Sequence, residues 1–570
     1  MTLAGGKLNL RDYALLAILA LAFFLPGISS LPPVDRDEPR YTQATTQMLE
    51  TGDFLDIRFM DQVRYKQPAG IYWLQAASVS LFGDVHAHKI WAHRLPSALN
   101  GMIAVLLASW IGAAFFGRKA GIAAGVLLAA CFSLTFESHI AKTDATLCML
   151  TLACQTALVR MRLDGAERKP AAWGPAILFW VFLGLGVMVK GPIPILVSGA
   201  TITVVSIWER SWDLPKRLRA FPLALIPVLI ALPWLIGIEM KSHGEFLKLA
   251  AGKNFAGKIA SGQESHGGPP GYHLALFSLM FWPSALFAIA AIPGVWRHRT
   301  DPRVRFLVSW IVPTWIVIEL TATKLPHYPL PTYPAIAVLT AAVWFGELAV
   351  QPGKLATALG RAYAVLWTLI GVLIAAAPAV LLSKLEHRTD AIAIGLGVLS
   401  LAGTLACLVF LSRGRKDRAL GAAAFAALFG WLNLFGVSAP RVESLWLSPR
   451  IVAAIKANAP CPHPVLASSP FQEASLAYLA GTGTEFVSPA QAADHLKADP
   501  ACGLALIGDK DYPAFAAQLA ADGVAVQKLA EIDGHNYAKA LMKPVNLGLY
   551  RAVIPAAESS PSAANPNTQP

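Results

Sequence analysis

Between Val34 and Gln75, inside a chain dominated by apolar runs, the sequence reads VDRDEPRYTQATTQMLETGDFLDIRFMDQVRYKQPAGIYWLQ. Asp37, Glu38, Arg40, Asp53, Asp56, Arg64 and Lys66 stand here among Tyr41, Tyr65 and Tyr72. A carboxylate can orient or deprotonate an attacking group. Guanidinium and ammonium groups can hold a phosphate, Arg by paired hydrogen bonds and Lys as a point charge. The same residue types recur in later polar connections: Glu137, His139, Lys142 and Asp144, then Lys190, then Glu264, His266 and His273, then Lys324, His327 and Tyr328. Ionisable groups close to a bilayer are costly to keep, so each is a candidate for function. Blander roles exist beside these. Asp37 and Asp144 each stand where a helix would begin and could be caps, and Lys190 could snorkel to an interface.

The elements that carry these groups follow from composition. Apolar residues make up 55% of the 570-residue chain and charged residues 14%, which fits a polytopic helical membrane protein. Apolar spans are expected at about 11–30, 95–116, 119–138, 143–160, 172–189, 191–208, 221–239, 272–296, 305–322, 328–348, 360–382, 391–411 and 419–436. That makes about thirteen. The connections on one side of this layout carry 22 Lys and Arg residues against 5 in the short connections opposite. The positive-inside rule then places the N-terminus in the cytoplasm, and the loops 31–94 and 240–271 and everything after 437 outside. The net charge of +12 is therefore mostly topology, and no nucleic-acid partner is expected. The first span reads as a retained helix, because no small-residue cleavage site follows it. Within the first loop, Tyr41, Ala44, Thr45, Met48 and Leu49 recur at helical spacing before Gly52, which suggests a helix lying along the membrane surface.

All the candidate polar groups fall on the outer side. An ion or proton pathway would place such groups at mid-depth, so a site at the outer leaflet is expected. No glycine-rich phosphate loop and no zinc-type cysteine spacing is present.

Beyond the membrane the texture changes. Short strands are expected at 464–468, 484–487, 504–508, 524–529 and 547–553, with helices at 472–479, 491–496 and 514–521, which make a small α/β domain. The domains are then 1–436 in the membrane, 437–555 outside it, and a disordered tail at 556–570, rich in Ser, Pro, Ala and Asn. Cys461 and Cys502 precede the strands 464–468 and 504–508. If those strands are parallel neighbours in an oxidising compartment, the two cysteines pair. The other four cysteines lie inside spans as core residues.

The stretches DRDEPRY, TGDF…YKQPAGIYWLQ, Lys142-Thr143-Asp144, VKGPIP and KLPHYPLPTYP, in this order, resemble the lipid A aminoarabinose transferases. These are relatives of the protein O-mannosyltransferases within the GT-C class of membrane glycosyltransferases. The resemblance implies transfer of a sugar, with inversion, from a polyprenyl-phosphate donor to lipid A, lipopolysaccharide or another periplasmic acceptor at a bacterial inner membrane. It implies Asp37 and Asp144 as catalytic acids, and Arg40, Lys324 and Tyr328, with Lys190, at the donor phosphate. Glu38, Lys66, Glu264 and His266 become substrate-binding candidates. The family's Glu-Lys-Pro is Lys66-Gln67-Pro68 here. The glutamate that would share a metal with a later histidine, matched by His266, is thereby lost, so no cofactor and no metal ligand is assigned, and a divalent metal stays an open alternative. Two other readings stay open: a flippase or transporter of a lipid-linked sugar, and a non-catalytic lipopolysaccharide-binding protein.

Overall fold

A computed structural model describes residues 6–250, 252, 267–351, 353–539 and 542–553. Among the described residues, six helices are long and apolar enough to cross a membrane: Ile90–Phe116, Trp173–Lys190, Ala220–Lys241, Lys354–Leu385, Ala391–Ser412 and Lys416–Arg441. Two bent pairs, Arg118–Ala130 with Phe132–Ser138 and Tyr272–Met280 with Ala285–Arg297, raise the number to 8 if each is one span. The chain is a multi-pass helical membrane protein.

Among the described residues, the thirteen expected spans are not all reproduced at that standard. Helices do occupy the remaining segments, as Leu10–Phe24, Asp144–Ala166, Ile193–Glu209, Pro302–Leu320 and Tyr333–Phe345. They are too short or too polar to qualify by length and composition alone. The bends have local causes. Cys131 takes an extended conformation between the first pair, and Pro283 stands in the break of the second.

The first loop folds back onto the helices. Helix Asp37–Thr51 ends at Gly52, whose φ of 69° is the left-handed cap that glycine adopts without strain. Its apolar face does not meet lipid, as the amphipathic pattern alone suggested. Tyr41, Ala44 and Met48 are buried in a cluster with Tyr65, Tyr72, Met188 and Trp234, and Thr45 donates to Gln75 at 2.9 Å. A pattern of helical period shows which face is apolar but not what covers it. Strands β1 (Arg58–Phe59) and β2 (Gln62–Val63) form a short antiparallel hairpin. The chain then enters helix Gly70–Phe82.

A second compact unit begins at Glu443, where sequence reading placed the change at 437. Its sheet comprises β3 (Leu466–Ser469), β4 (Glu485–Phe486), β5 (Leu504–Gly508), β6 (Val526–Asn536) and β7 (Lys543–Ala552). The spatial order is β4-β3-β5-β7-β6. β3 pairs parallel with β4 and β5, and β7 pairs antiparallel with β5 and β6. Every residue of β5 is buried, as its unbroken apolar run requires of a strand covered on both faces. Leu466 faces Leu504, so the residues just before these strands are neighbours. Cys461 and Cys502 form a disulfide there, with Cα atoms 5.5 Å apart, while Cys131, Cys148, Cys154 and Cys407 are free and buried.

The bridge spans a sequence separation of 41, for which the chain-entropy model gives about 4 kcal/mol of stabilisation. Cys502→Ser is expected to make this unit cleavable by protease under conditions in which the native protein resists. Equal resistance in both proteins would mean the bridge contributes nothing.

Candidate active site

Arg94, fully buried near the start of helix Ile90–Phe116, fixes the geometry on which the site depends. Its guanidinium donates to both carboxylate oxygens of Glu38, at 2.7 and 2.8 Å. It also donates to the carbonyls of Ile28, Leu31 and Pro32, at 3.0, 2.6 and 3.0 Å. Glu38 in turn accepts the backbone N–H groups of Val34 and Ala141, each at 2.8 Å. One ion pair therefore joins the exit of the first helix, the start of helix Asp37–Thr51 and the segment that carries Lys142 and Asp144. Glu38 has no capacity left for substrate. That corrects its assignment as a binding residue.

The neighbours of this pair line a cleft of about 660 Å³ including its open mouth. Of the expected residues, Asp37, Lys66, Asp144, Lys190 and Tyr328 line it together, brought from five separate segments. Arg40 does not line it. Lys324 does not either: its buried ammonium donates to the carbonyls of Glu319 and Thr321, at 2.7 and 2.6 Å. Glu264 and His266 lie outside the described residues. His273, from the same group, is buried and faces the Leu325 carbonyl at 3.1 Å.

The cleft also holds Tyr41, Arg64 and Gln67, to which the motifs gave no role, and Lys142 and His327, which were candidates by residue type but were assigned none. Arg64 donates to the Tyr72 hydroxyl at 3.2 Å and lies 4.9 Å over the Tyr41 ring. The Tyr41 ring and the Tyr72 hydroxyl thus hold its guanidinium at the cleft wall. The Gln67 amide donates to the Tyr41 hydroxyl. Only the spacing of Arg64 to the Lys-Gln-Pro stretch could have suggested it, since an arginine after a hairpin resembles any solvated arginine.

Charge is arranged in two parts. In the inner part, Lys190 pairs with Asp144. Lys142 Nζ lies 3.4 Å from Glu137 and 3.9 Å from Asp144. His327 stands between the same acids, Nδ1 3.3 Å from Glu137 and Nε2 3.5 Å from Asp144. Burial pushes the His327 imidazole down to about 3, against the pull of Asp144. In the outer part, Asp37 is the first residue of its helix. Among the described residues it has no hydrogen-bond or salt-bridge partner. Among the described residues, the lining thus sets Arg64, Lys66, Lys142 and Lys190 against Asp37 and Asp144, with Glu137 directly behind them. Such a surplus suits a phosphate, and the unengaged Asp37 suits contact with an incoming nucleophile.

Glu137, Asp144 and His327 offer ligand atoms that all lie within 4.8 Å of one another, so these three could hold a metal ion. Lys142 and Lys190 already counter both carboxylates. A metal would have to displace an ammonium, and no step is derived through one.

The position of Lys190 depends on a close approach of backbones. A Cβ built on Gly70, in the Gln-Pro-Ala-Gly stretch, would stand 2.6 Å from the Met188 carbonyl oxygen. Helix Gly70–Phe82 can lie against the end of helix Trp173–Lys190 because position 70 has no side chain. Lys190 then reaches Asp144 and stands 5.9 Å over the Tyr328 ring.

Comparison with known proteins bears out the resemblance carried by the motifs. Residues 11–244 match the family model described as dolichyl-phosphate-mannose-protein mannosyltransferase. The chain is 26% identical over 334 residues to an undecaprenyl phosphate-alpha-4-amino-4-deoxy-L-arabinose arabinosyl transferase of Yersinia pestis (strain Pestoides F). That match covers 58% of each chain, little more than half of the relative's length. The transferase of the same description from Aeromonas salmonicida (strain A449) is 28% identical, over 57% of this chain and 59% of its own. In structure, the chain is similar to ArnT from Cupriavidus metallidurans bound to undecaprenyl phosphate, with a TM-score of 0.73 and 18% identity. That likeness covers 94% of this chain and 97% of the other. It shows a shared fold across both units.

Two variants test this construction. Arg94→Leu strands a buried carboxylate and is expected to cost about 3–5 kcal/mol, whereas replacing both partners by apolar residues recovers part of the loss. Thermal unfolding in detergent measures both, and an unchanged melting temperature for Arg94→Leu would contradict the anchor. Gly70→Val should leave the protein folded but shift Lys190. The expected readout is loss of Lys190–Asp144 proximity in a cysteine-pair cross-linking assay, and cross-linking at the native rate would contradict it.

Proposed function

We propose that the chain is an integral-membrane glycosyltransferase that moves a sugar from a polyprenyl-phosphate donor to lipid A, lipopolysaccharide or another periplasmic acceptor. The observation that carries this reading is the cleft's inventory: Arg64, Lys142 and Lys190, whose N–H groups can donate to a phosphate, beside Asp37, an acid with no hydrogen-bond or salt-bridge partner among the described residues. The similarity to arabinosyl transferases named for an undecaprenyl-phosphate donor, and to a protein solved with undecaprenyl phosphate, supports the same donor class.

In the proposed step, an acceptor oxygen attacks the anomeric carbon from the face opposite the phosphate. The bond from that carbon to the phosphate oxygen breaks and its electron pair leaves with the polyprenyl phosphate, so the configuration inverts. Arg64, Lys142 and Lys190 stabilise the departing phosphate, and Tyr328 borders it. Lys66 and Gln67 stand where the sugar or the acceptor enters. Asp144 holds Lys190 and Lys142 in place by charge. Asp37 receives the proton of a hydroxyl acceptor; if the acceptor is an ionised phosphate there is no proton to remove, and Asp37 orients it.

The topology belongs to the same proposal. Thirteen membrane passes, an N-terminus in the cytoplasm and the second unit in the periplasm of a bacterial inner membrane would put the cleft on the outer leaflet. The distribution of Lys and Arg among the connections supports this orientation.

Asp37→Asn keeps the shape and removes the charge. In a transfer assay with purified protein, a polyprenyl-phosphate sugar and lipid A, the variant is expected to lose about 10²-fold or more of its rate if Asp37 takes the proton. Full rate in the variant would remove Asp37 from the chemistry. Absence of transfer by the native protein, with donor lipid moved between leaflets instead, would establish a flippase.

A further inference from the structure

A second charged cavity lies at the other end of the helices that carry the cleft. Helix Tyr333–Phe345 begins close after His327 and Tyr328 and runs 13 residues, about 20 Å at the α-helical rise. At its far end Trp344 walls a cavity of about 1230 Å³ including its open mouth. Lys119, Arg415, Lys416 and Arg418 line it, with Asp417 as the one carboxylate. These residues come from three places in the chain: the start of helix Arg118–Ala130, the end of helix Tyr333–Phe345, and the connection from helix Ala391–Ser412 to helix Lys416–Trp431.

The cations of this cavity differ from those beside it. Arg118 is paired with Asp12 at 2.5 Å, and Arg303 with Asp301 and Glu347 at 2.8 and 3.0 Å. Among the described residues, Lys119, Arg415 and Arg418 have no salt-bridge partner. Lys416 is held at the wall by the Trp344 ring, 5.7 Å away, and by the Trp344 carbonyl at 3.4 Å. An excess of three positive charges around one cavity asks for an anion. The site also has an apolar continuation. Leu405 and Val409, on the helix that leads into it, are 48% and 45% exposed, which gives acyl chains a surface to follow. An indole at the end of a membrane helix stands at headgroup level.

We propose that this cavity binds the phosphodiester headgroup of an anionic phospholipid, at the membrane face opposite the sugar-transfer cleft. Its position between helix ends, with basic residues converging from two of them and an indole from a third, is the arrangement by which such headgroups are held. The proposal does not depend on the transfer reaction, because none of its residues touches the cleft.

The test uses the full-length protein, delipidated in detergent and titrated with phosphatidylglycerol or phosphatidylcholine, with bound lipid counted by native mass spectrometry. The native protein should retain phosphatidylglycerol in preference to phosphatidylcholine. The triple variant Arg415→Gln, Lys416→Gln, Arg418→Gln should bind it about 100-fold more weakly. A control triple variant, Arg297→Gln, Arg299→Gln, Lys354→Gln, should keep native binding, and the single variant Lys119→Gln should weaken it by a smaller factor. An unchanged melting temperature in lipid-free detergent shows that each variant folds; a cavity triple variant that fails this check is replaced by Lys119→Gln, whose binding then decides the question. No loss in the cavity variants, or equal loss in the control, would overturn the proposal in favour of diffuse surface charge. Inorganic phosphate that displaces the lipid and binds as well by itself would overturn the lipid as ligand.

Discussion

The Glu38–Arg94 pair is the constraint from which the cleft follows. A buried guanidinium and carboxylate are costly to remove from water, and they persist only where their remaining hydrogen-bonding capacity is met. Here it is met by the backbone of two separate segments: carbonyls of residues 28, 31 and 32 with the N–H group of residue 34, and the N–H group of residue 141. The pair therefore does more than cancel charge. It sets the angle at which the first loop leaves the membrane and the distance of that loop from the segment 139–144. Asp37 precedes Glu38 by one residue, and Asp144 follows Ala141 by three. Neither acid has freedom to move far from the other.

Around that anchor the acids and bases are divided by environment. Asp144 and Glu137 are buried and surrounded by Lys142, Lys190 and His327, so their charge is spent holding cations in place. Asp37 is half-buried and has no such partner among the described residues. Two carboxylates of the same type thus take different roles, one in positioning and one available to a ligand. The tyrosines act in a similar way on Arg64: Tyr41 and Tyr72, stacked 5.5 Å apart, hold the guanidinium by the Tyr41 ring and the Tyr72 hydroxyl without neutralising it. A phosphate entering the cleft would meet cations already oriented, with little reorganisation left to perform.

Much of this was legible in the chain. The polytopic helical class follows from composition and apolar runs, and the α/β character of the second unit from periodicity, which records which faces are apolar; the parallel pairing behind the Cys461–Cys502 bridge entered the reading only as a condition, which the structure meets. Asp37, Lys66, Asp144, Lys190 and Tyr328 were readable because they sit in short polar motifs between apolar runs. What was not readable is where a long side chain points. Arg40 and Arg64 are the same residue type in the same loop, and only the fold of the hairpin and the two tyrosines decides which one lines the cleft. Lys324 bends onto carbonyls of its own connection, and Glu38 is drawn inward by an arginine 56 residues away. The apolar face of helix Asp37–Thr51 was correctly identified but wrongly given to lipid, because Met188 and Trp234, which cover it, come from distant helices. Breaks such as that at Pro283 divide apolar runs that hydropathy reads as continuous.

In the proposed function, the cleft between Asp37 and Lys190 holds the phosphate of a polyprenyl carrier. The most direct measurement is a cryo-electron microscopy structure of the full-length protein in a lipid nanodisc with undecaprenyl phosphate. The account predicts phosphate density within about 4 Å of at least two of Arg64, Lys142 and Lys190, the range of an ion pair, with the polyprenyl chain leaving the cleft toward the bilayer. Phosphate density elsewhere on the protein, with the cleft cations still paired as they are in its absence, would contradict it.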